Sequence, residues 1–508
     1  MPNLRAGALW LMMLLLLCGC AARKEFVAGR KWAPEALRAD YRVFRAVLED
    51  SHPGLYWFTP QDSMNAYFRQ GYSMLQDSLT ETRFRAVLSY VLAQVHCGHT
   101  TVRPSKTFAR SVRGGISFPV NIKFWPDTAL VTSSARDSAL TRGCIITAID
   151  GRPMNAIVDS LFRYLSADGW NRTHLYQTLS NRGGFGSAFI PVFGYKPRYH
   201  VSFIDSTGTP RSALVNLFLP ARDSAGGSAP DRPRDRSREH RPSRRERKRL
   251  MREFNRSLRI DTAARTAYMD LATFTKGYGL RRFFRRSFRQ LRKEGVPHLV
   301  IDLRSNGGGS VSNSNLLTKY IADKPFKIAD TLYAVRRNSP LRDLQQHGFW
   351  NNLFLHFMTR RERDGNYHFR YFERHYFSPK KRWHYDGQVY VLTGGNTFSA
   401  ATLFAGTVRG QSNVTVVGEE TGGGAYGNNA WLIPDVTLPN TGVRFRLPLF
   451  RLVIDHTQAK GYGVQPEVYA GPTAPAIRGN RDFKLDVVKD LIRQRLDTSV
   501  RDAGARVK

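Results

Sequence analysis

Between Pro34 and Val95 apolar residues return at steps of three and four. "APEALRADYRVFRAVLEDSHP" places Leu37, Tyr41, Phe44, Val47 and Leu48 on one side of a helix that ends at His52-Pro53. "DSMNAYFRQGYSMLQDS" and "TETRFRAVLSYVLAQV" continue in the same style, with Thr80 or Thr82 as a cap for the last. From about Gly114 the period falls to two. "ISFPVNIKFW" and "ALVTSSA" alternate as strands, and "ALTRGCIITAIDGRPM" is an apolar strand closed by the turn pair Asp150-Gly151. "IVDSLFRYLSADG" follows as a helix and "RYHVSFIDSTGTPRSALVNLF" as a hairpin. From Ile260 to about Tyr469 strands and helices alternate: "TAYMDLATF", "GLRRFFRRSFRQLRKEG", "PHLVIDLRSNGGG", "GQVYVLTGGNTFSAATLFAGTVRG" and "NVTVVGEETGGG". Such alternation predicts an α/β domain. Residues 340–385, rich in aromatics and charges, interrupt it as an insertion.

Composition adds less than this pattern. The 508 residues suffice for two or three domains, and 42% hydrophobic with 12% aromatic residues is the balance of a folded globular chain. Net charge is +36, which suits acidic partners, an anionic membrane surface or nucleic acid. Residues 221–257 read as a disordered linker insertion, with 13 basic and 6 acidic residues and almost no apolar content. They supply only +7 of the +36, so the whole chain is basic. No RNA- or DNA-binding signature accompanies the segment, and no nucleic-acid partner is expected.

The first residues, "MPNLRAGALWLMMLLLLCGC", carry one arginine and then an apolar run too short for a membrane span. Leu17-Cys18-Gly19-Cys20 resembles a bacterial lipobox, which implies cleavage before Cys20 and acylation of its thiol. The expectation is export to the cell envelope of a bacterium with a lipid anchor, periplasmic or at the outer membrane or surface. Only Cys97 and Cys144 would then remain unmodified, too few for a disulfide framework. No zinc spacing is present.

Two stretches carry candidate chemistry. In "VYVLTGGNTFSAATLFAG" a strand ends at Thr393, glycines turn the chain, and Ser399 opens a helix. A serine there is either a helix cap or a nucleophile beside free N–H groups and a positive dipole. In "LVIDLRSNGGGS" an apolar strand runs into Gly307, Gly308 and Gly309. The glycine spacing fits neither a phosphate-binding loop nor a dinucleotide site. An oxyanion hole from these glycines and the Ala400 N–H fits better.

"VIDLRSNGGG", "TGGNTFSAATLFAG", "VVGEETGGG" and "GYGVQPEV", in that order, resemble the tail-specific (C-terminal processing) serine peptidases, including the tricorn core branch. The resemblance is strong over about 260–470. It implies a PDZ-like module at 114–220, with "RGCIITAIDG" its clearest match. One branch of the family activates serine with a lysine about 25 residues on; here that position is Gly424, and no lysine lies near. The other branch takes a distant histidine from a motif like Asp-Gly-His-Thr. "VHCGHTTV" offers His99-Thr100, with Cys97 where aspartate is common. The resemblance therefore makes His99 the general base for Ser399. The tricorn branch's glutamate position holds Lys460, leaving Asp455 and Glu467 as candidate orienting carboxylates.

The expected organisation is multi-domain α/β: signal peptide 1–19, lipidated tether 20–32, N-terminal helical domain 33–113, PDZ-like domain 114–220, basic linker 221–257, peptidase core 258–470 and a C-terminal tail with a helix at 471–508. The expected activity is serine endopeptidase cleavage of peptides or unfolded protein tails, with Ser399, His99, Gly307, Gly308 and Ala400 as the site. The resemblance implies no metal and no cofactor. The alternative is a non-catalytic lipoprotein binding peptides or apolar ligands on the same fold.

Overall fold

The structure is a computed structural model that describes residues 29–111, 118–134, 139–216 and 242–505. The signal peptide, Cys20 and most of the tether lie outside the described residues, as does 221–241 of the basic segment. Among the described residues no helix is long and apolar enough to cross a membrane.

The chain is a multi-domain α/β protein. Its central sheet orders the strands Arg256–Asp261, Thr266–Leu271, His298–Asp302, Gln388–Thr393, Val414–Gly418 and Val468–Tyr469. The first pair is antiparallel and the remainder parallel. Parallel strands need crossovers, and helices supply them. Leu280–Glu294, Val311–Ile321 and Ala400–Val408 cover one face, burying Phe284, Phe288, Leu317 and Phe404 against Met269, Ile301 and Val391. The C-terminal helix Phe483–Ala505 covers the other, with Val488 and Ile492 on Val300, Tyr390 and Val417. Burial on both faces explains why these strands read as continuous apolar runs.

The helices Pro34–Ser51, Gln61–Ser73 and Glu81–Ala93 form where the periodicity placed them, and Thr80 caps the last through the Arg83 N–H. Their apolar stripes do not close on each other alone. Tyr41, Phe44 and Leu88 share one core with Leu332, Phe445, Phe450 and Leu452. The buried Asp40 carboxylate accepts from the backbone and side chains of Asn440 and Thr441. Val102–Arg103 pairs with Arg444–Arg446, which fastens the turn carrying His99 to the 265–470 region.

Residues 118–216 build a separate antiparallel sheet in the order Val120–Trp125, Thr128–Ser134, Ile145–Ile149, Arg198–Ile204, Pro210–Asn216. It has its own core around Phe118, Phe124, Phe185 and Val201. Two helices absent from the sequence reading, Arg172–Ser180 and Gly184–Phe193, pack on it. Asn171 caps the first through the His174 N–H.

One expectation is corrected. Residues 242–257 are not a disordered linker: Arg244–Asn255 is a helix and Arg256–Asp261 an edge strand of the central sheet. Composition missed this because Ser243 caps the helix at the Glu246 N–H, and pairing with Thr266–Leu271 supplies the strand's backbone partners. Nothing in that helix is buried.

Candidate active site

The strand Gln388–Thr393 lies inside the sheet and ends beneath a turn that is held at several points. Thr397 Oγ1 donates to the Leu303 carbonyl and accepts from the Gly394 N–H. The Phe398 N–H donates to the Asn306 carbonyl. The chain then enters Ser399 at φ +54°, ψ −122°, a conformation that L-residues rarely adopt. Ser399 occupies the N-cap position of Ala400–Val408, yet its hydroxyl makes no capping bond. It is half-buried and lines a cleft of ≈ 950 Å³. The helix-cap alternative is therefore not how this hydroxyl is used.

The glycine loop presses on this turn. Gly308, at φ +92°, has no room for a side chain: a Cβ would lie 2.7 Å from the Ser399 Cβ and 2.9 Å from the Ala400 nitrogen. Its own N–H donates to Asn306 Oδ1 at 2.9 Å, and Asn306 Nδ2 donates to the Leu271 carbonyl. The oxyanion expectation is corrected here, because the Gly308 amide is committed within the protein. Gly308 contributes close approach instead. Ala400 is the first residue of its helix, where an N–H has no intrahelical acceptor. Space at the Gly307 Cα is open.

His99 comes from a buried turn against Phe398, the residue before Ser399, with ring centroids 4.6 Å apart. His174 stacks on Phe398 as well, at 4.8 Å, and its Nδ1 bonds the Gly395 carbonyl. Neither ring nitrogen of His99 has a hydrogen-bond partner. The nearest carboxylate is Asp168, whose Oδ1 lies 3.9 Å from His99 Nδ1. Asp168 is buried and accepts from the Gly98 N–H at 2.8 Å and the Gly424 N–H at 3.3 Å. Burial lowers the His99 pKa to about 3, helped by Arg446 and His174, and raises Asp168 to about 7 against the pull of those two amides.

The loop that delivers Asp168 is clamped. The Gly169 N–H donates to the His96 carbonyl, His96 Nδ1 bonds the Gly169 carbonyl, and the Trp170 N–H donates to Gly461. Gly169 sits at φ +61° with Gly461 where a Cβ would go. The turn before His99 is held equally firmly. His52 Nδ1 accepts from the Gly54 N–H, so its Nε2 carries the proton and donates to Thr100 Oγ1 at 2.8 Å. Thr100 in turn donates to Cys97 Sγ.

The carboxylate that stands beside His99 was not among the residues the sequence suggested. Asp455 accepts from Thr457 and Gln458 in an exposed turn, and Glu467 from Val416 and Gly410 at the sheet edge. Each satisfies local backbone or side-chain donors away from His99. Lys460, standing in the tricorn glutamate position, donates to the Trp57 carbonyl. Asp168 lies in the loop after a helix of the 118–216 unit, and only "SADGW", a small-residue turn, marks it in sequence.

Among the described residues two groups bring possible metal ligands within 4.8 Å of one another: Cys97, His99 and Asp168, and Asp330, Asp455 and His456. The first is the histidine–carboxylate pair with a neighbouring thiol. Cys97 and Cys144 are both buried and free, so they do not pair. Burial holds the Cys97 thiol up at about 12, which makes it a poor nucleophile. In a chain starting after Cys20, a thiol reagent at pH 8 is expected to find neither cysteine before unfolding and both afterwards. Rapid native labelling of Cys97 would contradict the buried turn.

Residues 265–470 match the family model described as peptidase family S41. That stretch contains Ser399 and the glycine loop but neither His99 nor Asp168. No curated protein matches the chain. Among solved structures, mature CPAF complexed with lactacystin is 15% identical, covering 92% of this chain and 99% of its own, with a TM-score of 0.61. Mature CPAF alone gives 15% identity, 92% and 98% coverage and 0.60. At that identity the likeness establishes a shared fold. The photosystem II D1 C-terminal processing protease is 15% identical over 86% of this chain and 94% of its own, at 0.40. The family model spans the serine turn and its glycine loop, so that residues 265–470 are a region of the peptidase family S41 type, the family of the tail-specific serine peptidases.

Proposed function

We propose that the chain is a serine endopeptidase that cuts peptides or protein tails, with Ser399 as nucleophile, His99 as general base and Asp168 as the group that orients and supports His99. One juxtaposition carries this reading: an uncapped, strained Ser399 at the wall of a cleft, one residue from the aromatic ring against which the unpartnered His99 lies, with Asp168 3.9 Å behind.

Ser399 Oγ attacks the scissile carbonyl as its proton passes to His99. The tetrahedral oxyanion is held by the Ala400 N–H at the helix N-terminus, with the Gly307 N–H as second donor. His99 then gives its proton to the leaving amine, and water attacks the acyl-serine by the same path in reverse. The test is labelling by a fluorophosphonate probe. Wild type is expected to react, and Ser399→Ala and His99→Ala are expected not to. Labelling that survives Ser399→Ala would remove the nucleophile assignment.

The pH dependence follows from the pair. An imidazole held near 3 is neutral throughout the physiological range but accepts protons poorly. Ionised Asp168 is the group that raises its basicity, and Asp168 is charged only above about 7. Hydrolysis is therefore expected to rise with pH through about 7, and Asp168→Asn to remove that limb. A rate flat from pH 5 to 9 in wild type would contradict the assignment.

Export and anchoring belong to the same proposal. The 1–19 leader and Cys20 would place the enzyme in a bacterial envelope on a lipid anchor. Incorporation of a labelled fatty acid, lost in Cys20→Ser, is the expected result.

A further inference from the structure

We infer that the cleft beside Ser399 recognises a carboxylate-bearing peptide through Lys276, Arg281 and Lys319, so that the preferred substrate is acidic next to its apolar residues. This rests on the peptidase reading of Ser399 and adds the substrate's chemistry to it.

The cleft is lined by four cations, Lys276, Arg281, Lys319 and Arg446, and by no aspartate or glutamate. Among the described residues none of the four has a carboxylate oxygen within 4 Å of its charged nitrogens. Elsewhere some of the chain's cations are paired. Arg304 holds both Asp302 and Asp482, and Lys484 holds Glu419. Lys276, Arg281 and Lys319 thus stand in the cleft without an acidic partner, while Arg446 feels the charge of Asp435. Lys276 and Arg281 are exposed at the mouth; Lys319 is half-buried, its ammonium 5.0 Å from the centroid of Phe377. Burial and the nearby Lys380 lower the Lys319 pKa, as expected where positive charge gathers without a counter-ion.

The remaining wall is apolar. Tyr371, Phe372, Phe377 and Trp431 face the same space, and Trp431 and Leu432 hold positive φ of 60° and 32°. Cations of one sign set in low-dielectric walls focus their field into a cleft. A peptide offering one or two carboxylates beside an aromatic or aliphatic residue satisfies both surfaces; a basic peptide would meet charges of its own sign. The carboxylates come either from Asp or Glu side chains or from the C-terminus of a protein tail.

The test uses one peptide with an apolar centre in four forms: flanking Asp/Glu or Asn/Gln, each with a free or amidated C-terminus. Binding to the full-length Ser399→Ala protein is read by fluorescence anisotropy, and hydrolysis by wild type is read in parallel. Three partly exposed ion pairs are expected to favour the carboxylate forms by about tenfold, with the preference shrinking in high salt. The Lys276→Gln/Arg281→Gln/Lys319→Gln variant is expected to lose it, its binding of the carboxylate forms falling to that of the Asn/Gln amide form. A preference following the Asp/Glu flanks assigns side chains; one following the free terminus assigns the tail. Equal binding of all four forms, or a preference that survives the triple variant, overturns the inference. Preferential binding without any hydrolysis by wild type would leave the cleft assignment standing and remove the peptidase reading; hydrolysis without preference would do the reverse.

Discussion

Replacing Ser399 by alanine is expected to lower peptide hydrolysis by about 10⁶-fold while leaving the fold intact, the scale seen when an activated serine is removed from a working triad. The hydroxyl serves no structural bond, since it caps nothing. Deleting it removes the nucleophile and leaves the glycine loop, the turn and the cleft as they are. Ser399→Gly separates function from strain. The φ of +54° costs a residue with a Cβ about 1–3 kcal/mol, whereas glycine enters that region freely. Glycine also loosens the unfolded chain, at about 0.4–1 kcal/mol. The net expectation is an inactive variant about 1 kcal/mol more stable than Ser399→Ala, read from paired denaturant titrations. A Ser399→Ala protein with more than a hundredth of the wild-type rate would place the nucleophile elsewhere. A Ser399→Gly protein no more stable than alanine would mean that the turn is not strained.

Asp168→Asn is expected to lower kcat by about 10³–10⁴-fold with little change in KM, because the lost charge supports His99 and touches no substrate. The Gly98 and Gly424 amides bond different oxygens of the carboxylate, so asparagine keeps an acceptor for only one of them. Asp168→Ala strips both buried N–H groups of their partner, and each costs about 1–3 kcal/mol when left unsatisfied. The two variants should therefore match in rate and differ in stability. His99→Ala should lose as much activity as Ser399→Ala, and the double variant no more than either, since the two act as a unit. Loss in His174→Gln, with His99→Ala still active, would move the base to the other histidine beside Phe398.

The sequence showed the α/β core clearly, because strands buried on both faces are written as apolar runs and crossover helices as amphipathic ones. It showed the serine turn and the glycine loop because both are local: strand, glycines and helix follow one another within about a dozen residues. It misread 242–257, where one capping serine and a strand partner outweigh an unfavourable composition. It also counted the Gly308 N–H as free, when an asparagine two residues earlier already takes it.

What the sequence determined by itself is the family resemblance of its core, the fold class and the segment that presents Ser399, since each depends on neighbours along the chain. Only the tertiary structure decided which carboxylate stands beside His99. Asp168 is 69 residues from His99 and 231 from Ser399 in sequence, in a unit with its own core. The His96–Gly169 clamp and the pairing of Val102–Arg103 with Arg444–Arg446 carry the two residues together. The charge of the cleft was hidden for the same reason. A chain with +36 spreads lysine and arginine everywhere, and only packing shows which of them face one another with no acid between.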